Sequence, residues 1–261
     1  MKRPLDIAQG LSLRRKAGLL VVVALLGSGL GFGLGHVAAG YVAYWDIVSG
    51  PFLLSLRVAF AATVIAGIAG VVSGYALAKA RFPGRDVLET IGSLPIILPP
   101  TVVGYYLLDV LLPGTRAGGF LTRATGHVFV YNATGCVIAA SVAAYPFCMR
   151  AARAAIEGVD ASLEQAARTM GLPDWRVALQ VTLPLARRGI AAGLTIGCAR
   201  ALGEYGATLM VGGDINGKTR TMSLAILDSF TTPERDTMVL VLVLIAVAAM
   251  TGVGLLGRGR A

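Results

Sequence analysis

The chain has 261 residues, 56% of them hydrophobic, and a formal net charge of +9. A soluble domain is about 45–50% apolar, so an ordinary water-soluble fold is excluded, and the basic excess is first a question of where Lys and Arg lie about a bilayer rather than of nucleic acid. Cys136, Cys148 and Cys198 sit in apolar segments without Cys-x-x-Cys spacing, and His36 and His127 are isolated, so neither a metal site nor a disulfide nor a catalytic cluster is predicted.

Residues 1–16 form a basic N-terminal segment carrying Lys2, Arg3, Arg14, Arg15 and Lys16. The apolar run 17–39 is long enough to cross a hydrocarbon core of about 30 Å as an uncleaved first helix, whereas the apolar core of a signal peptide is only about 7–15 residues. Gly27, Gly31 and Gly35 in it lie four apart and could admit a close helix neighbour, although glycine is also common in membrane helices. Further spans are predicted at 52–78, 87–112, 134–152, 190–211 and 237–256. The expected fold is all-α, with six transmembrane helices and both termini on one side.

The charges choose that side. Lys79, Arg81, Arg85, Arg150, Arg153, Arg168, Arg176, Arg187, Arg188, Arg258 and Arg260 join the N-terminal cluster on one face. The other face has Arg116, Arg123, Lys218, Arg220 and Arg235, while Arg57 and Arg200 fall within spans. By the positive-inside rule the richer face is cytoplasmic, which puts both termini and the polar loop 158–188 in the cytosol. Arg57, near the start of its span, is expected at the outer interface with its head group in water.

The third span opens Leu94-Pro-Ile-Ile-Leu-Pro-Pro-Thr-Val-Val-Gly-Tyr105, and its prolines remove backbone donors and forbid a regular helix. Such a break is tolerated in a bilayer only beside protein or a water-filled path. Pro99, Pro100, Thr101 and Gly104 are therefore candidates for a translocation path or gate, with a kink used only for packing as the plainer account. In the fifth span Arg200 and Glu204 stand four apart on one helical face, and at membrane depth they are expected to pair.

Within 158–188 a short helix is predicted to end near Gly171, with either a Ser162/Gln165 capping box or Asp160 at its start. A second helix opens at Pro173-Asp174 and is expected to stop near Thr182, before Leu183-Pro184. Gly212 to Thr219 fits the phosphate-loop spacing Gly-x4-Gly-Lys-Thr, but it follows a membrane helix instead of a strand and is read as accidental.

The helix pair resembles the cytoplasmic loop of ABC importer permeases, Glu-Ala-Ala, three residues, Gly, nine residues, Ile-x-Leu-Pro. Ala166, Ala167, Gly171, Leu183 and Pro184 match; Val181 replaces Ile, Gln165 replaces Glu, and Glu164 lies one residue early. Leu94 to Tyr105, Ala199-Arg-Ala-Leu-Gly-Glu-Tyr-Gly-Ala-Thr-Leu-Met210 and Gly212 to Thr221 are similar to the permease subunits of molybdate importers. Asn216 and Leu227 depart from the usual Pro and Tyr. The resemblance covers about residues 55–230 and implies the type I importer permease fold within 52–257.

It also implies a homodimer, two copies of a separate ATPase docked on the loop at Glu164, Gln165, Ala166, Ala167, Gly171, Leu183 and Pro184, and an extracytoplasmic binding protein delivering an oxyanion, molybdate with tungstate. ATP and Mg are used by the partner; this chain binds no cofactor, holds no metal, catalyses nothing and takes no nucleic acid. A sulfate or thiosulfate permease is the alternative. A secondary anion transporter is less compatible, because no second proline break answers the first.

Overall fold

A computed structural model describes residues 45–80, 83–228 and 232–257. The expected segments 1–16 and 17–39, with their glycine faces, lie outside the described residues. No strand occurs among the described residues, in accord with the all-α expectation. The helices are α1 (Trp45–Lys79), α2 (Arg85–Ile97), α3 (Pro100–Leu111), α4 (Arg116–Thr125), α5 (Ala133–Glu157), α6 (Ala161–Thr169), α7 (Asp174–Val177), α8 (Leu183–Leu202), α9 (Gly206–Gly212), α10 (Met222–Asp228) and α11 (Thr232–Gly257).

Val48–Lys79 and Ala133–Glu157 are each long and apolar enough to cross a membrane. At 1.5 Å per residue Arg57 lies roughly 33 Å along α1 from Lys79, so when one of them is at one boundary of the hydrocarbon the other is near the opposite one. Arg57 is exposed there, as a snorkelling side chain requires.

The centre of the fold is α5, against which α1 and α8 both pack while also touching each other at Gly67 and Leu194, and small residues set the spacing. A Cβ on Gly70 or Gly74 of α1 would stand 2.8 Å from the backbone of Met149 on α5. Gly189, Gly193 and Gly197 of α8 face Ala155, Ala151 and Cys148 of the same helix. With no hydrophobic drive between helices in lipid, close backbone approach of this kind supplies the packing energy. Ala62, Ala66, Ala140, Ala144 and Cys148 are buried in that seam.

Two predicted spans are interrupted. The stretch expected as one span at 87–112 is two helices meeting at 111°. Leu98 (ψ 140) and Pro99 (ψ 136) are both extended because each precedes a proline, and Pro100 then opens α3. The span expected at 190–211 breaks as well, between α8 and α9 at residues 203–205. That second break went unforeseen; it falls at Gly203-Glu204-Tyr205 and involves no proline. A correction concerns Leu183-Pro184: the chain does not stop there. A π turn, Ala178–Thr182, carries α7 directly into α8, and the widened turn accommodates the missing N–H of Pro184 without ending the helix.

Candidate functional site

Loop 158–188 caps one end of the molecule. Asp160, not Ser162, is the N-cap of α6, its carboxylate accepting the Ser162 N–H at 2.9 Å. At the other end Gly171 is left-handed (φ +85), with Leu172 N–H bonded to Ala167 O and Gly171 N–H to Arg168 O. Those paired bonds are a Schellman cap, which turns the chain into α7. Arg168 spans the turn to Asp174 at 2.8 Å.

The two faces of the helix pair differ. Gln165 and Ala166 are exposed, and beside them lie Leu163, Met170, Trp175 and Leu179, exposed although large and apolar, with Arg176 over the Trp175 ring at 5.0 Å. Sequence reasoning missed Met170, Trp175 and Leu179; their signal was the presence of large apolar residues at the polar end of an amphipathic segment. Pro184 is exposed, Leu183 half-buried and Ala167 buried.

Glu164 points the other way. It is only 4% exposed, and its Oε1 meets Lys79 Nζ at 2.7 Å and the Thr182 hydroxyl at 2.6 Å. Burial pushes its carboxyl upward, but the Lys79 and Thr182 hydrogen bonds and the charges of Lys79 and Arg168 outweigh this and hold it below the ordinary carboxylate range. The same end of the molecule ties α2 to α5 through Arg85 with Glu157, Arg153 with Glu89, and Arg150 with Ser93.

At the two helix breaks the structure brings together the residues selected from the predicted third and fifth spans. The start of α3 crosses α9 where both helices restart. A Cβ on Gly206 would lie 2.9 Å from Pro100 Cβ, and one on Gly104 would lie 2.8 Å from Ala207 Cα. Thr101, Pro99 and Pro100 are exposed, whereas Gly104 is buried in the crossing. The Arg200–Glu204 pair is made, at 2.6 Å. Glu204, one residue before the N-cap position Tyr205, also accepts the Ala207 N–H through Oε1 at 2.8 Å and so satisfies a first-turn donor of α9, and Ser223 donates to its carbonyl.

Beyond α9 the phosphate-loop look-alike is a closed turn. It follows a helix, and the buried Thr219 hydroxyl donates to Gly213 O and accepts the Ile215 N–H. Arg220 binds Asp214 and Asp228, each at 2.8 Å, and fastens the turn to α10. Asn216 and Leu227 are both exposed on this surface.

Residues 66–258 match the family described as binding-protein-dependent transport system inner membrane component. The chain belongs to this family. The permease is 41% identical over 181 residues to the molybdenum transport system permease protein ModB of Escherichia coli (strain K12), covering 69% of this chain and 79% of that one. It is 30% identical over 188 residues to the sulfate transport system permease protein CysT of the same organism, covering 70% and 68%. In fold it is similar to a chain of the inward-facing MetNI methionine ABC transporter, with TM-score 0.65 at 17% identity over 84% of this permease and 99% of that chain. The fold is therefore that of an ABC importer permease, a multi-pass inner-membrane component and not an enzyme.

Proposed function

We propose that this permease forms the translocation path of an ATP-driven molybdate importer, with tungstate as a second cargo, and couples that path to a separate ATPase. The observation that carries the coupling role is the exposed face of the loop, which presents four large apolar side chains, Leu163 on α6, Met170 at its end, Trp175 on α7 and Leu179 in the π turn, with Arg176 over the Trp175 ring. Large apolar side chains exposed in one polar segment mark an association surface. Gln165 and Ala166 belong to that face, Gly171, Leu183 and Pro184 shape it, and Glu164 and Ala167 support it from beneath.

The working assembly is a homodimer of this chain with two ATPase subunits and an extracytoplasmic binding protein, six spans per chain and cytoplasmic termini. Lys79, Arg85, Arg150, Arg153 and Arg176 gather at the loop end, which the positive-inside rule assigns to the cytosol. The permease performs no covalent chemistry. ATP and Mg act in the partner, and closure of the ATPase pair biases the permease only as far as it prefers one of the permease's two states. At the crossing of α3 and α9, Pro99, Pro100 and Thr101 border the path, and Gly104, Arg200 and Glu204 hold its two broken helices in place.

Molybdate is favoured over sulfate by the greater identity to the molybdenum permease. The exposed departures at Asn216 and Leu227 are what keep sulfate or thiosulfate as the second reading. Uptake of labelled molybdate by cells lacking the chain and by cells with it restored is the test. Restored uptake that tungstate blocks and sulfate does not supports the proposal; a block mainly by sulfate moves the cargo to the second reading, and uptake independent of the chain overturns both.

A further inference from the structure

We infer that Glu164 is the pin through which the ATPase-facing helix pair moves the membrane helices, and is not itself a contact of the ATPase. The inference rests on the coupling role proposed above for α6 and α7. Three elements meet at one carboxylate oxygen: the last residue of α1 (Lys79), the first turn of α6 (Glu164) and the end of the π turn that becomes α8 (Thr182). Lys79 and Glu164 are 85 positions apart in sequence, so nothing local requires them to meet. The Thr182 side chain is wholly buried, and its single hydroxyl proton serves Glu164 at 2.6 Å in preference to Val177 O at 3.5 Å.

Apart from this cluster the helix pair is held by the buried side chains of Ala167 and Val177 and by the chain on either side, and among the described residues no other ion pair joins it to the spans. The cluster adds a polar tie from the pair to the ends of α1 and α8. Directly beneath it, Ala152 and Ile156 of α5 and Ala186 of α8 form a buried layer with Tyr75 and Ala78 of α1 and with Leu183. A displacement of α6 therefore presses on the ends of α1, α5 and α8 together, because a close-packed layer transmits strain. Gln165, the neighbour that replaces the acidic residue of the family pattern, is exposed and has no part in the cluster.

The test uses the complete transporter, permease with its ATPase and binding protein, in proteoliposomes, and compares Glu164→Gln, Lys79→Met, Thr182→Val and the exchange Lys79→Glu with Glu164→Lys. Each variant is scored for retention of the ATPase on purification and for oxyanion accumulated per ATP hydrolysed. Glu164→Gln and Lys79→Met are expected to keep the ATPase but to accumulate about fivefold less oxyanion per ATP, the lower bound of a typical coupling between sites. Thr182→Val, which keeps shape and the ion pair, should show a smaller loss in the same ratio, and it carries the test if Glu164→Gln does not assemble. Recovery of the ratio by the exchange supports the pin. Loss of ATPase retention in Glu164→Gln but not in Lys79→Met would make Glu164 a docking contact and overturn the inference, as would an unchanged ratio in the single variants. Failure of the unmodified permease to retain any ATPase would instead overturn the coupling role on which the inference rests.

Discussion

Glu164 beneath the coupling loop and Glu204 at the crossing of α3 and α9 are both buried carboxylates facing a cation across less than 3 Å, but they arise differently. Glu204 finds Arg200 one helical turn away and uses its second oxygen to satisfy a first-turn donor of the helix it precedes. Glu164 finds Lys79 only through the fold and takes its second partner, Thr182, from a helix turn that the chain reaches later. The first cluster holds a break inside one membrane segment; the second joins separate segments. Removing Glu204 should therefore harm folding, and removing Glu164 should harm motion.

The largest effect is expected from Glu204→Ala. It leaves Arg200 without its partner and Ala207 N–H without an acceptor, a loss of about 3 kcal/mol by analogy with broken buried pairs. Thermal unfolding of the purified permease in detergent measures it. Glu204→Gln keeps an acceptor for Ala207 and should fall between; equal stability of all three proteins would mean that the pair does not hold the break together. Next comes Gly104→Val, whose Cβ would enter 2.8 Å from Ala207 Cα, backbone that cannot swing aside. Overpacking of about 1–3 kcal/mol should appear in the same unfolding experiment.

Gly171→Val isolates the other region. A Cβ at Gly171 meets nothing within 4 Å, so the whole penalty is the left-handed backbone at φ +85, roughly 1–2 kcal/mol for a residue with a Cβ. It should fray the end of α6 and lower ATPase retention while membrane insertion stays normal; Gly171→Asn, which tolerates that conformation, should retain the ATPase. Normal retention by the Val variant would remove Gly171 from the docking geometry.

These contrasts follow what could be read from the sequence. The Gly171 cap, the Arg200–Glu204 pair and the proline break were legible because each is decided within a turn or two of chain. The break at Gly203–Tyr205 was not, although glycines flank Glu204 on both sides, because the role of Glu204 as an acceptor for the first turn of α9 depends on knowing that α8 stops. Pro184 pointed to a stop that a π turn made unnecessary. Four-residue glycine spacing draws attention first at Gly27, Gly31 and Gly35, outside the described residues. It operates at Gly70 with Gly74 and along Gly189, Gly193 and Gly197, where the partner helix α5 is supplied only by the fold.

The smallest effect separates two readings of one helix start. Asp160 caps α6, and the Ser162 backbone N–H foremost, then the Ser162 hydroxyl, holds its carboxyl below the ordinary value. A carboxylate lowered in the folded state stabilises fully above its unfolded pKa, near 3.9 for Asp, and loses that contribution as pH falls through the lower folded value. Asp160→Ala should therefore speed amide exchange in the first turn of α6 at neutral pH, and the difference from the unmodified permease should shrink as the solution is acidified through that window. Ser162→Ala leaves the backbone donor in place and should change exchange less. If Ser162→Ala had the larger effect, the helix would start on the Ser162/Gln165 capping box, two residues later than Asp160 places it.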